Sequence, residues 1–315
     1  MTVAELAKTH TQAVFHHILV ATDFSDSSQR AFRDALALAA HDDARVYLVH
    51  ALPLNMQYLS LEAPPELDLE RIDAEKEMKD FVGDLDSGHK VEAVFLLRGG
   101  VEEIVKSLVG DKQIDLLVIG TRGRGGISKL ALGSVAEELL RVAPCPVLTI
   151  GPKAEVASRN AGEFRRILFA TDFGKAAAKA LPLALSLAQA HQAKLTLLHL
   201  LPAMPASTAS LSAFSPPGPA ADELLEWETA AQKLSVRKLK ECLPEGMTLA
   251  HEPECVVGTD FLPEGILEAA AKRQVDLIVM GANRALAPRA AAHFPWALVH
   301  EVVRDAPCPV LTVTA

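Results

Sequence analysis

Short apolar runs alternate with longer segments of helical periodicity along the whole chain. In the first half, Ile18–Ala21, Val46–His50, Val91–Leu97, Leu116–Ile119 and Val147–Ile150 are dense in Val, Leu and Ile and predict five strands. Between the first two, Ser27–Ala40 repeats Ala31, Ala35, Leu38 and Ala39 at helical spacing; Pro65–Leu85, Val101–Val109 and Ser134–Val142 also predict helices. Strands that are nearly all apolar are buried on both faces, which implies a parallel sheet covered by helices. The pattern predicts an α/β fold with an open, doubly wound, five-stranded sheet and right-handed crossovers.

The same pattern then recurs. His16-His17-Ile18-Leu19-Val20-Ala21-Thr22-Asp23-Phe24 returns as Arg165-Arg166-Ile167-Leu168-Phe169-Ala170-Thr171-Asp172-Phe173, and Val46–His50 returns as Leu195–His199 at the same offset. Asp115–Gly120 returns as Asp276–Gly281, and Pro144–Thr149 as Pro307–Thr312, at wider offsets. The chain is therefore a tandem duplication whose second copy has gained residues. Much of the gain falls in Pro202–Ala221, where prolines 216, 217 and 219 forbid a continuous helix. The polar junction Gly151–Glu163 suits a surface linker, giving domains at residues 1–151 and 164–315 joined by residues 152–163.

Composition narrows the function classes. A length of 315 residues suits two domains, and half the residues being hydrophobic supplies two cores. The formal net charge of −9 argues against general nucleic-acid binding, which needs a basic surface. No apolar run reaches the ~20 residues of a membrane helix. The first run, Val14–Ala21, is broken by His16 and His17 and reads as a strand, not a secretion signal, so the cytoplasm is the expected location. The four cysteines lack C-x-x-C spacing and are expected to be buried, inert thiols.

The chemistry concentrates after the fourth strand, where an open α/β sheet binds ligands beyond its C-terminal strand ends. There stand Gly120-Thr121-Arg122-Gly123-Arg124-Gly125-Gly126, then Ile127–Leu132, then Gly133-Ser134. Glycines let backbone N–H groups approach a polyphosphate, and the helix opened by Gly133-Ser134 offers unpaired donors and a partial positive end. Arg122, Arg124 and Lys129 add cations. A Walker A loop is excluded because Gly126 stands where lysine is needed, and a dinucleotide G-x-G-x-x-G fails at Ser128. Ser134 with Glu137 has capping-box spacing. Asp23 has two readings, ligand contact or helix capping together with Ser25 and Asp26.

Gly-x-x-Gly, nine residues, then Gly-Ser is the signature of ATP-binding universal stress proteins, which this chain resembles across nearly all of both halves. The resemblance includes the opening Ala-Thr-Asp-Phe and the closing Pro-Cys-Pro-Val-Leu-Thr. It implies two Rossmann-like domains of the adenine nucleotide alpha hydrolase-like type. It also implies a site for ATP, ADP or AMP with magnesium or manganese on the phosphates. The implied contacts are Ala21, Thr22 and Asp23 after the first strand, with Asp23 on the adenosine portion. Ala51 takes the adenine-contacting position; Ile119, Gly120, Arg122, Gly123, Gly133, Ser134 and Val135 surround the phosphate loop. The resemblance further implies that the last strands Pro146–Ile150 and Pro309–Val313 pair as an intramolecular pseudo-dimer, and leaves further homodimerisation open.

The second half departs from the signature. Gly281-Ala282-Asn283-Arg284 puts arginine at the second glycine, and Phe294-Pro295, or Trp296-Ala297 with two residues of slack, replaces Gly-Ser. One nucleotide per chain is therefore expected, with Asp172 structural. His293 and His300 bracket Pro295 and lack a completing Cys or carboxylate, so no metal site is expected there. His50 and His199 recur at strand ends and suggest packing or hydrogen bonding. The expected function is a nucleotide-dependent stress-response or signalling module. The alternative is a slow ATPase or a nucleotidyl- or phosphotransferase, for which no general base is evident beside the loop.

Overall fold

A computed structural model of the protein describes residues 15–53, 69–83, 91–121, 123, 132–154, 163–201, 221–259, 262–283 and 296–315. The first half runs β1 (His17–Ala21), α1 (Asp26–Asp42), β2 (Arg45–Leu52), α2 (Leu69–Gly83), β3 (Val91–Arg98), α3 (Val101–Asp111), β4 (Leu116–Gly120), α4 (Ser134–Val142) and β5 (Val147–Ile150). The second runs β6 (Arg166–Ala170), α5 (Lys175–Ala190), β7 (Lys194–Leu200), α6 (Ala221–Glu241), β8 (Glu254–Gly258), α7 (Glu264–Lys272), β9 (Leu277–Ala282), α8 (Trp296–Asp305) and β10 (Val310–Thr314). All five strands and four helices expected in the first half are present among the described residues, with ends shifted by a few positions. Residues 65–68 and 84–85 of the expected second helix lie outside the described residues.

The strands form one ten-stranded sheet in the order β3-β2-β1-β4-β5-β10-β9-β6-β7-β8. Pairing is parallel within each half, and the halves join by the antiparallel pair β5–β10, in which Leu148 lies opposite Leu311. This is the intramolecular pairing of last strands expected from the resemblance. Thr149 Oγ1 donates to Val310 O at 3.0 Å, and Thr312 Oγ1 donates to Val147 O at 3.3 Å. Both threonines are buried, so each hydroxyl finds an acceptor on the opposite half rather than an unpaired burial.

Alternation along the strands assigns the two faces of the sheet. Ile18 and Val20 of β1 pack with Phe32 of α1 and Phe81 of α2, and the same core contains Leu181 of α5 and Leu239 of α6. Leu19 points to the other face, with Val105 of α3, Leu139 of α4, Ile266 of α7 and Val302 of α8. Each face is therefore one apolar layer running through both halves. The edge strand β3 departs from the all-apolar expectation: Val94 is 43% exposed on a strand with a single strand neighbour, β2. No described helix is long and apolar enough to cross a membrane.

Two repeated devices explain why the matched segments look alike. Asp115 accepts the backbone N–H groups of His16 and His17 at 2.8 and 3.0 Å, and Asp276 accepts those of Arg165 and Arg166 at 2.7 and 2.9 Å. Each aspartate thus ties the start of the first strand of its half to the approach of the fourth. Cys145 and Cys308 are both buried, and desolvation pushes both thiols up, Cys145 to about 12. Cys242 is buried too, its thiol pushed up to about 11, but Cys255 on β8 is only half-buried, which departs from the expectation that all four are buried.

One polar residue is held against this apolar background. Burial raises Asp34 of α1 to about 6, outweighing the lowering effect of Arg30 and Arg33. A carboxyl raised in the folded state contributes stability below its unfolded value of 3.8 that is lost as pH climbs through about 6. Asp34→Asn is therefore expected to raise stability at pH 7 by on the order of 2–3 kcal/mol, the gain vanishing near pH 4. Urea unfolding of both proteins at the two pH values checks this; an equal gain at both would remove the titration argument.

Candidate functional site

The strand order reverses between β1 and β4, which run side by side with Ala21 opposite Ile119. Their C-terminal ends open the crevice where this architecture receives ligands. Leaving β1, the chain makes a tight turn through Thr22-Asp23-Phe24 into α1, and Phe24 adopts a left-handed conformation with φ 63°. A bulky residue takes that region only under constraint from its surroundings. Here Phe24 N–H donates to Thr22 Oγ1 at 2.9 Å, and Thr22 Oγ1 donates to Ser28 Oγ at 2.9 Å. The Phe24 ring packs on His50 and Phe81, with centroids 4.3 and 5.7 Å away. His50 Nδ1 lies 2.8 Å from Thr22 O; since a carbonyl only accepts, this nitrogen carries the proton. The histidine thus buttresses the turn from β2, in keeping with the hydrogen-bonding and packing role expected of it.

That turn aims Asp23. Its Oδ1 accepts from Ser25 N–H at 3.1 Å and from Ser25 Oγ–H at 2.6 Å, while Ser25 itself caps α1 by accepting from Ser28 N–H. Ser25 is therefore the cap, and Asp23 supports it. The other carboxylate oxygen, Oδ2, faces Gly123: a Cβ built there would stand 2.9 Å from it. Asp23 and Gly123, from the ends of different strands, line the same gap.

The glycine-rich segment is pinned at both ends. Thr121 N–H and Oγ1 both bond Ile150 O at 3.2 Å, and Gly133 N–H donates to Thr121 O at 2.9 Å. A Cβ on Gly133 would sit 3.5 Å from Thr121 O and 3.7 Å from Gly123 N, so the two ends of the segment are in contact. Gly133 is the N-cap of α4 and makes no side-chain cap bond. This corrects the capping-box expectation: Ser134 is the first helical residue, one position too late to be the N-cap. Ser134 and Val135 are exposed, and the first-turn N–H groups of α4 emerge beside Gly123. Ala51 lies at the end of β2, half-buried, opposite Leu97. Of the expected residues, Ala21, Thr22, Asp23, Ile119, Gly120, Gly123, Gly133, Ser134 and Val135 converge on the β1/β4 crevice. Arg122, with Arg124 and Lys129, lies outside the described residues.

Gly120 has a packing reason of its own. A Cβ there would stand 2.6 Å from the carbonyl carbon of Ser27 in the first turn of α1. Its counterpart Gly281 packs the same way, where a Cβ would overlap the carbonyl carbon of Ala176. The first glycine of the motif thus serves helix–strand contact in both halves, whatever binds.

The second half repeats the frame without the cradle. Phe173 has φ 59°, its N–H donates to Thr171 Oγ1 at 2.9 Å, and His199 Nδ1 meets Thr171 O at 2.8 Å. Burial holds His199 below its ordinary value. Asp172 Oδ1 accepts from Gly174 N–H at 2.7 Å, matching its expected structural role. Gly174 replaces the Ser25 cap, Ala282 replaces Thr121, and Lys238 lies over the Phe173 ring at 5.5 Å. Arg284 and Phe294-Pro295 lie outside the described residues; Trp296-Ala297 begins α8.

Comparison with known proteins agrees with the frame. The model of the "Universal stress protein family" matches residues 15–151 and again 163–314. A universal stress protein of Thermus aquaticus is 34% identical over 137 residues, 44% of this chain and 99% of its own. One from Methanocaldococcus jannaschii is 32% identical over 150 residues, 45% of this chain and 86% of its own. The crystal structure of a universal stress protein from Archaeoglobus fulgidus superposes over 95% of this chain and 98% of its own, with a TM-score of 0.61 at 20% identity.

The packing argument separates the glycines. Gly120→Ala and Gly281→Ala are each expected to cost about 1–3 kcal/mol or more, because helix backbone must move. Gly123→Ala, exposed and facing, among the described residues, the end of the Asp23 side chain, is expected to cost under about 1 kcal/mol. Urea midpoints rank the three; a Gly281→Ala protein as stable as the parent would refute the packing role.

Proposed function

The chain belongs to the universal stress protein family, two such domains in tandem, and on that premise we propose that its first half binds one adenine nucleotide of the ATP type. The observation carrying this reading is that Asp23 Oδ2 and Gly123 face each other at the β1/β4 crevice, so closely that a Cβ on residue 123 would come within 2.9 Å of the carboxylate. Around that crevice the residues suit the ligand. Asp23 is an acceptor for hydroxyls of the adenosine portion, and its second oxygen is already fixed by Ser25. Ala21, Thr22, Ala51 and Ile119 form the walls. Gly123, Ser134 and Val135 present backbone N–H groups and a hydroxyl at the positive end of α4, where Gly133 brings the chain in without a side chain, a setting that favours phosphates.

A bound nucleotide would supply polyphosphate charge and, with it, magnesium or manganese; Arg122 is the neighbouring cation in the sequence. The protein's own part is to hold and orient. The strained Phe24 turn and the Thr121–Gly133 bond fix Asp23 and the start of α4 before a ligand arrives, which lowers the ordering cost of binding at those two places. The second half is proposed to bind no such nucleotide, since arginine stands for Gly123 and Gly174 and Ala282 stand for Ser25 and Thr121. The chain is then a nucleotide-responsive module in a stress or signalling role, read through a sheet shared by both halves.

Calorimetric titration with ATP and magnesium tests the proposal. One nucleotide per chain is expected, weakened at least ~10-fold by Gly123→Glu, which places an anionic side chain in the phosphate gap. Asp23→Ala is expected to lower affinity for ATP while leaving the fold intact. Absence of binding in the parent protein would end the proposal, and two nucleotides per chain would end its asymmetry. Prompt phosphate release that depends on Arg122 or Arg124 would favour the enzymatic alternative.

A further inference from the structure

Away from the crevice, three ligand-type residues meet where the halves adjoin. His41 and Asp42 end α1, and His191 is the C-cap of α5. One potential ligand atom from each lies within 4.8 Å of the others. The two imidazoles are stacked, with centroids 4.1 Å apart and planes 16° from parallel. His41 Nδ1 lies 2.7 Å from Asp42 Oδ1, and Asp42 Oδ2 accepts from Phe15 N–H at 3.3 Å. The Asp42 side chain is 2% exposed, while that of His41 is 34% exposed.

His191 differs from the two buttressing histidines. His50 and His199 each hold a carbonyl at 2.8 Å. In His191, Nε2 is buried without a hydrogen-bond partner, and Nδ1 has only a long 3.5 Å contact with Phe164 N–H. A buried imidazole committed to no strong bond is costly unless something else uses it. Both helices also direct their C-terminal, partially negative ends here, which favours a cation. Burial, reinforced by His41, lowers His191 to about 4, against the opposing pull of Asp42 and Glu163, so the ring is neutral near pH 7. A neutral imidazole has one unprotonated ring nitrogen, and that nitrogen is the one able to take a metal.

We propose that His41, Asp42 and His191 bind a divalent transition-metal ion of the zinc type, clasping α1 of the first half to α5 of the second. Two imidazoles and one carboxylate form a ligand set suited to that ion, with water completing the coordination from the exposed His41 side. Stacked rings direct their in-plane lone pairs side by side, not at one point. Binding therefore swings His41 out of the stack, and the cost of that rotation makes this a weaker site than a pre-formed one.

The test uses the full chain, stripped with chelator and free of nucleotide, titrated with Co2+ and followed by visible absorption. One cobalt per chain with the bands of a four-coordinate site is expected, displaced by Zn2+, which should also raise the midpoint of thermal unfolding. His191→Phe keeps a ring on the stack but removes both nitrogens, and should weaken binding at least ~10-fold. His41→Gln, on the exposed side, serves as second variant should the first fail to fold. Absence of cobalt bands in the parent overturns the proposal, leaving a ring stack with a His41–Asp42 hydrogen bond. Bands persisting at parental affinity in a folded variant overturn it too, by placing the metal elsewhere.

Discussion

The architecture depends on one antiparallel junction. Each half alone would end in an open strand edge at β5 or β10, a row of unpaired N–H and C=O groups. Pairing those edges makes one sheet of ten strands, and the Thr149 and Thr312 hydroxyls reach across to carbonyls on the other side. The consequence reaches beyond the strands. Because both faces of the sheet are apolar layers continuous through the junction, α1 and α5 are brought together on one face, and the His41–His191 contact exists only because of it.

Within each half the controlling feature is the strained turn after the first strand. Phe24 and Phe173 both hold left-handed backbone, each with its N–H on a threonine hydroxyl and its ring on a histidine from the next strand. Such a conformation costs on the order of 1–3 kcal/mol and persists only where neighbours over-determine it. The return is placement: the turn holds the aspartate that precedes the phenylalanine at the mouth of the crevice. Both aspartates accept the backbone N–H two residues on, Asp23 from Ser25 and Asp172 from Gly174, and so support the start of the helix. In the first half the other oxygen of Asp23 also faces Gly123.

Much of this was legible in the sequence, because strand burial and duplication write themselves as apolar runs and repeats. The five-strand pattern was readable from the apolar runs at residues 18–21, 46–50, 91–97, 116–119 and 147–150, whereas the pairing of last strands came from the family resemblance. Conformation and register at single residues were not readable. Ser134-x-x-Glu137 has the spacing of a capping box, yet Gly133 takes the N-cap, because its N–H bonds Thr121 O and fixes where the helix begins. No spacing announces left-handed backbone at Phe24, although the repeated Thr-Asp-Phe with a histidine ending the next strand was the available signal. The His41–Asp42–His191 cluster was invisible for another reason: its members come from different halves and follow no local motif.

The duplication also acts as an internal control on how a glycine motif should be read. Both copies share a sheet, a strained turn and a buttressing histidine, so differences between them isolate what the frame does not require. Gly120 and Gly281 are both present, and both are needed where a helix backbone lies against the strand end. The first glycine of the signature therefore reports the fold and carries no information about a ligand. Gly123 and Gly133 are different, since among the described residues neither meets backbone close enough to forbid a Cβ. Their replacement in the second half, by arginine and by bulky or apolar residues, leaves the frame standing. The frame itself therefore does not require the second and third glycines of the signature or the serine after them.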